Sequence, residues 1–176
     1  MKIIAFAGSN SSKSINKKLV TYASTLFKDA EVEILDLRDY QAPLFSVDVE
    51  KEIGQAKEAL AFLEKLKSAD LLLISLAENN GNYSTAFKNI FDWCSRIEKD
   101  VFQKKPTLLM ATSPGGRGGK GVLEIAQTNL PRYGAEIKAV FSLPSFNDNF
   151  DAENNKISNP ELDAQLKDIV RNFNKD

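Results

Sequence analysis

The chain contains no histidine and a single cysteine, Cys94, among 176 residues. Ser-His-Asp and Cys-His nucleophilic catalysis therefore cannot be assembled from it. Zinc sites built from several cysteine and histidine ligands are excluded, and no intramolecular disulfide can form. A surplus of positive charge is lacking too: 23 lysines and arginines face 24 aspartates and glutamates, a formal net charge of -1. That balance is short of the basic excess that gripping a phosphate backbone demands, so nucleic acid is not an expected partner. No apolar run approaches the roughly 20 residues of a membrane-crossing helix. The run at residues 3–7 is too short for a secretory leader core, so a cytoplasmic setting away from membranes is expected. With histidine unavailable for acid–base work, reactive chemistry is expected from a bound cofactor.

What is present is a repeating order. An apolar content of 43% suffices for one core, and one domain spanning residues 1–176 is expected. Strand-like runs alternate with helical periodicity along the whole chain, the pattern of an α/β fold with a parallel sheet. Residues 3–7, 71–76 and 108–111 are continuously apolar, whereas 32–37 and 136–141 interleave charges with apolar residues. Continuous runs suit strands covered on both faces and mixed runs suit sheet edges. That places the second and fifth strands outside and predicts a three-layer sandwich around a five-stranded parallel sheet of order 2-1-3-4-5. This is the flavodoxin-like arrangement, with its switch point between strands one and three. The first helix, over residues 14–28, puts Ile15, Leu19, Tyr22, Ala23, Leu26 and Phe27 on one face. Two segments interrupt the repeat: 38–53 reads as a lid, a subunit contact or a plain loop, and 143–159 as an exposed loop with little to bury.

Three polar or glycine-rich loops each follow an apolar strand. The first carries Ser9, Ser11, Lys13, Ser14, Ile15 and Asn16 into a helix start, where free amides, hydroxyls and a lysine suit a phosphate monoester. The plainer reading is that Ser14 merely caps the helix. The loop has neither the Gly-Lys-Ser/Thr ending of a Walker loop nor the three-glycine dinucleotide fingerprint, which disfavours ATP and a standard dinucleotide fold. The second loop, Glu78, Asn79, Asn80, Gly81 and Asn82, offers amide donors and acceptors for the edge of a heteroaromatic ring; its bland alternative is an Asn-Gly turn. The third holds Ser113, Gly115, Gly116 and Arg117 among four glycines, which let backbone approach a ligand closely. Cys94 and Trp93 lie on an apolar helical face and read as packing residues.

Taken together, Gly8-Ser9 with Ser14 and Asn16, Glu78 through Gly81, Lys88-Asn89 with Asp92-Trp93, and the 113–119 loop resemble the NADPH-dependent FMN reductases. That family includes quinone, azo-dye and chromate reductases on a flavodoxin-like fold. The resemblance implies an FMN-dependent oxidoreductase that takes hydride from NADPH or NADH and passes electrons to a small-molecule acceptor, as a homodimer or homotetramer. It implies that the first loop holds the FMN phosphate, the second meets the isoalloxazine ring and the third closes over it. Arg117 would draw the phosphate of NADPH. The chain departs from the family pattern at Ala77 and Asn79, where proline and an aromatic are usual, and at Ser11, where arginine is common. Lys13 then becomes the substitute cation, and looser FMN retention is expected because lysine lacks arginine's bidentate fork. An electron carrier and a non-enzymatic binding protein remain as alternatives, although such carriers are usually strongly acidic and this chain is not.

Overall fold

Every residue of the strand Leu71–Leu76 is buried, as a run apolar on both faces requires. In the computed structural model, which describes residues 1–173, this strand sits in the middle of the molecule, and 174–176 lie outside the described residues. In chain order the elements are β1 (Lys2–Gly8), α1 (Ile15–Thr25), β2 (Glu31–Leu35), α2 (Val47–Ile53), α3 (Lys57–Lys67) and β3 (Leu71–Leu76). There follow the strands β4 (Glu78–Asn79) and β5 (Asn82–Tyr83), then α4 (Thr85–Ile97), β6 (Lys105–Thr112), α5 (Lys120–Asn129) and β7 (Ala135–Leu143). The chain continues through α6 (Phe146–Asn149), β8 (Phe150–Asp151), β9 (Lys156–Ile157) and α7 (Pro160–Phe173).

The main sheet is parallel throughout and runs β2-β1-β3-β6-β7, so the strands with mixed charge patterns do lie at its edges. Side chains alternate across it with the two-residue period of a strand. Ile3, Ala5, Leu71 and Leu73 face α1 and α7, where Leu19, Val20, Ala23, Leu166 and Val170 are buried. Ile4, Phe6, Leu72 and Ile74 face α3, α4 and α5, meeting Phe62, Leu63, Ile90 and Val122. Each large apolar side chain so enclosed contributes roughly 1.5–3 kcal/mol relative to exposure. Because the chain leaves β1 toward β2 on one side and reaches β3 on the other, the carboxyl ends of β1 and β3 open a crevice between them.

Three expectations need correction. The first helix is shorter than residues 14–28: Ser14 is its cap and regular helix ends at Thr25. The 38–53 segment is not a plain loop; it carries a tight helical turn at Leu37–Tyr40 and the helix α2, capped by Ser46. The 143–159 segment buries Phe146, Phe150 and Ile157 and forms α6 and the β8–β9 hairpin. Its polar composition concealed three widely spaced apolar anchors, two of which, Phe146 and Phe150, stack with ring centroids 4.7 Å apart.

Candidate functional site

At the carboxyl end of the sheet, β1, β3 and β6 each hand over to a loop. A cavity of about 220 Å³ lies among them, lined by Ser9, Ser11, Lys13, Ser14, Ile15, Asn16, Ala77, Glu78, Asn79, Thr112, Ser113 and Pro114. The first loop folds back on itself through short local bonds: Ser11 N–H donates to Ser9 Oγ at 3.2 Å and Lys13 N–H to Ser11 Oγ at 3.2 Å. Ser14 Oγ accepts from Lys17 N–H at 3.1 Å, so Ser14 does cap the helix. Ile15 and Asn16 line the cavity, and as first-turn residues of α1 their amides have no intrahelical acceptor. An anion placed there meets amide dipoles, the hydroxyls of Ser9 and Ser11, and the Lys13 cation. That donor set suits a phosphate monoester.

Two side chains expected at a ligand are engaged elsewhere. Asn16 is buried; its Oδ1 accepts from Ser75 Oγ at 2.8 Å and from Thr112 N–H at 3.0 Å, and its Nδ2 donates to Thr112 O at 3.1 Å. It fastens α1 to the ends of β3 and β6, leaving only its backbone amide for the cavity. The Glu78 carboxylate accepts from Val122 N–H at 2.8 Å, at the start of α5.

Asn80 and Gly81 stand at the exposed tip between β4 and β5, with φ of 51° and 73°. Two consecutive positive φ values in a two-residue hairpin define the turn that Asn-Gly favours, so the plainer expectation for these two residues describes their local structure. Asn82 lines a neighbouring cavity of about 250 Å³ with Tyr83 and Lys88. Gly115, Gly116 and Arg117 are exposed, beside the cavity wall rather than in it. A Cβ at Gly116 would meet nothing, whereas at Gly118 it would strike Ser142 Oγ at 2.4 Å and Pro144 backbone. Gly118 is thus needed for packing, and Gly115 and Gly116 leave open space.

A larger cavity, about 400 Å³, adjoins the first one across Asn79 and was not anticipated. It is lined by Asn10, Leu37, Tyr40, Gln41, Ala42, Leu44, Asn79, Ser84, Thr85, Ala86 and Asn89, none of them charged. Of the Lys-Asn-x-x-Asp-Trp motif, Asn89 lines this cavity, and Asn89 and Trp93 hold the 42–45 segment that borders it. Asn89 Nδ2 donates to Ala42 O and Pro43 O, each at 3.1 Å, and Asn89 Oδ1 accepts from Phe45 N–H at 2.8 Å. Trp93 Nε1–H donates to Pro43 O at 2.8 Å, and its ring meets Phe45 edge-on. The only advance sign was the unusual length of the 38–53 segment. Cys94 is fully buried, its thiol directed at Ala59 O. Burial pushes that thiol up to about 12, which makes it inert.

A parallel sheet with a phosphate-ready loop at its switch point defines a flavodoxin-like mononucleotide-binding protein. The chain matches the NADPH-dependent FMN reductase family over residues 1–149, and it belongs to that family, whose members use FMN with a nicotinamide nucleotide as electron donor. It is accordingly an oxidoreductase. An NADPH:quinone oxidoreductase of Arabidopsis thaliana is 28% identical over 169 residues, 89% of this chain and 82% of that protein. A 2-hydroxy-1,4-benzoquinone reductase of a Burkholderia species is 33% identical over 132 residues, 74% and 68% of the two chains. The fold is shared with the flavoenzyme NAD(P)H:(acceptor) oxidoreductase FerB of Paracoccus denitrificans, with a TM-score of 0.77 over 98% of this chain and 94% of that one at 21% identity. Among the described residues no helix is long and apolar enough to cross a membrane, and no cluster of side chains could hold a metal ion.

Proposed function

We infer that this chain binds FMN across the crevice between β1, β3 and β6 and uses it to reduce small quinone-type or azo acceptors with electrons from NADPH or NADH. The observation that carries the reading is the 220 Å³ cavity at the switch point, where Ser9, Ser11, Lys13 and the first-turn amides of α1 converge. Bound there, FMN supplies hydride acceptance and onward electron transfer, which no side chain of this chain can perform. The protein's work is binding and orientation.

The first loop neutralises the phosphate through Lys13 and fixes its direction through hydroxyls and amides. The second, with Asn79, Asn80, Gly81, Asn82 and the backbone of Glu78, presents amide groups to the ring edge. The third, Ser113, Gly115 and Gly116, gives close backbone approach from the far side, and Arg117 draws the nucleotide donor's phosphate. The acceptor enters the 400 Å³ cavity, whose amide and tyrosine groups without charge suit a neutral, planar carbonyl compound better than an oxyanion.

Residues 1–176 act as one domain, in the cytoplasm, and as a homodimer or homotetramer. A second copy is supported by the exposed apolar side chains of Leu44, Val47 and Ile53, which crowd one segment at the cavity's edge. One shared face for donor and acceptor implies ping-pong kinetics. The test is NADPH oxidation with added FMN and a benzoquinone: parallel double-reciprocal lines are expected, and absence of turnover would overturn the reading.

A further inference from the structure

We propose that Glu78 is a positioning residue that latches the second loop to the third, so that the two arms flanking the flavin site are held at a fixed separation. The inference rests on the FMN reading above. Helix α5 begins at Lys120 after Gly119, which has no side chain to cap it. Its third amide, that of Val122, is instead capped from outside the helix, by Glu78 Oε2 at 2.8 Å, across 44 residues of sequence. A carboxylate at a helix amino terminus also meets the favourable end of the helix dipole, which strengthens the contact over a neutral acceptor.

The approach depends on Gly121. A Cβ built there would lie 2.9 Å from Glu78 Oε2 and 3.3 Å from its carboxyl carbon, inside ordinary contact distance. Glycine in a helical first turn otherwise has little to recommend it, since alanine favours the helix. Here its missing side chain makes room for the latch. Glu78 itself opens the β4–β5 hairpin, paired to Tyr83, and the tight Asn80-Gly81 turn keeps that hairpin rigid. Fixing Glu78 therefore fixes the whole second loop. The 113–119 loop leads directly into the capped end of α5, so the same bond sets the third loop as well. None of this requires the Glu78 side chain to touch flavin.

Three variants test the proposal. In Glu78→Ala the latch is lost; in Glu78→Gln a neutral acceptor keeps it in weaker form. In Gly121→Ala the carboxylate is pushed aside while the helix is favoured. Without FMN, amide exchange at Val122 and along residues 78–83 is expected to quicken in Glu78→Ala and Gly121→Ala. With FMN, their dissociation constants are expected to rise about tenfold and the bound-flavin absorption bands to move toward those of free FMN. Glu78→Gln should stay within about threefold of wild type, and Gly121→Ala should unfold at no lower temperature than wild type. A merely structural role for Glu78 predicts unchanged FMN affinity in the folded Gly121→Ala protein, and that result would overturn the proposal, as would wild-type exchange at Val122 in Glu78→Ala. Failure of the wild type to bind FMN would overturn the flavin reading instead, and the exchange measurement would still decide whether the latch exists.

Discussion

The Asn16 carboxamide pairs with the Thr112 backbone much as a neighbouring strand would, donating to its carbonyl at 3.1 Å and accepting from its amide at 3.0 Å. Thr112 ends β6, and Asn16 stands in the first turn of α1, 96 residues earlier in sequence. The same carboxamide oxygen takes the Ser75 hydroxyl from the end of β3. One buried side chain thus ties together three elements around the 220 Å³ cavity. Replacing it by alanine strands the Thr112 amide and carbonyl and the Ser75 hydroxyl, and each orphaned buried group costs about 1–3 kcal/mol. Asn16→Ala is expected to lose about 3 kcal/mol in urea unfolding, at the lower end of the three costs summed because the surroundings relax.

On the proposed reading, Lys13 is the residue that separates phosphate recognition from ring recognition. Its exposed cation stands at the mouth of the cavity and has no part in the core. Lys13→Ala should weaken FMN by about tenfold, the size of one charge-assisted hydrogen bond, and leave riboflavin binding unchanged. Quenching of flavin fluorescence with the two ligands checks this; equal loss for both would show that Lys13 acts on something other than phosphate.

Much of this was legible in the sequence. The order of the five strands followed from the contrast between continuous and mixed apolar runs, and the grouping of Ser9, Ser11, Lys13 and Ser14 around one cavity from the density of small hydroxyl residues ahead of a helix. The roles of Asn16 and Glu78 were not legible. Both residues occupy loops rich in ligand-like groups, but their side chains are committed to partners 96 and 44 residues away, and sequence-local reasoning sees no such partner. The 400 Å³ cavity was hidden for the same reason, since its walls come largely from the 37–44 segment and the start of α4, which Asn89 and Trp93 tie together.

The alkaline side of the stability profile is expected to be steep. Burial raises the Cys94 thiol to about 12 from 9.0 and the Tyr83 phenol to about 12 from 10.0, and burial together with Asp163 raises Tyr22 further. In each case the unfolded chain releases its proton at a lower pH than the folded one. Stability from these groups is therefore full below about pH 9 and lost as pH rises toward 12. The Tyr83 hydroxyl is buried with no hydrogen-bond partner among the described residues. Tyr83→Phe should match or exceed wild-type stability by up to about 1 kcal/mol and flatten the alkaline fall, as urea midpoints across pH 8–11 would reveal.

The uncharged cavity beside Asn79 can be blocked without touching the 220 Å³ cavity proposed for the FMN phosphate. Thr85 is exposed, lines that cavity and does not line the 220 Å³ one. Thr85→Trp is expected to raise KM for a benzoquinone about tenfold, while the dissociation constant for FMN stays within twofold, because the obstructed cavity is not the one that lies around Lys13. An unchanged KM would place the acceptor elsewhere.

The most direct measurement is the visible absorption spectrum of the purified protein with added FMN, followed by anaerobic titration with NADPH. Flavin bands that shift on binding and then bleach with one equivalent of NADPH are the expected result. No spectral change at saturating FMN, or bound flavin that NADPH leaves oxidised, would contradict it.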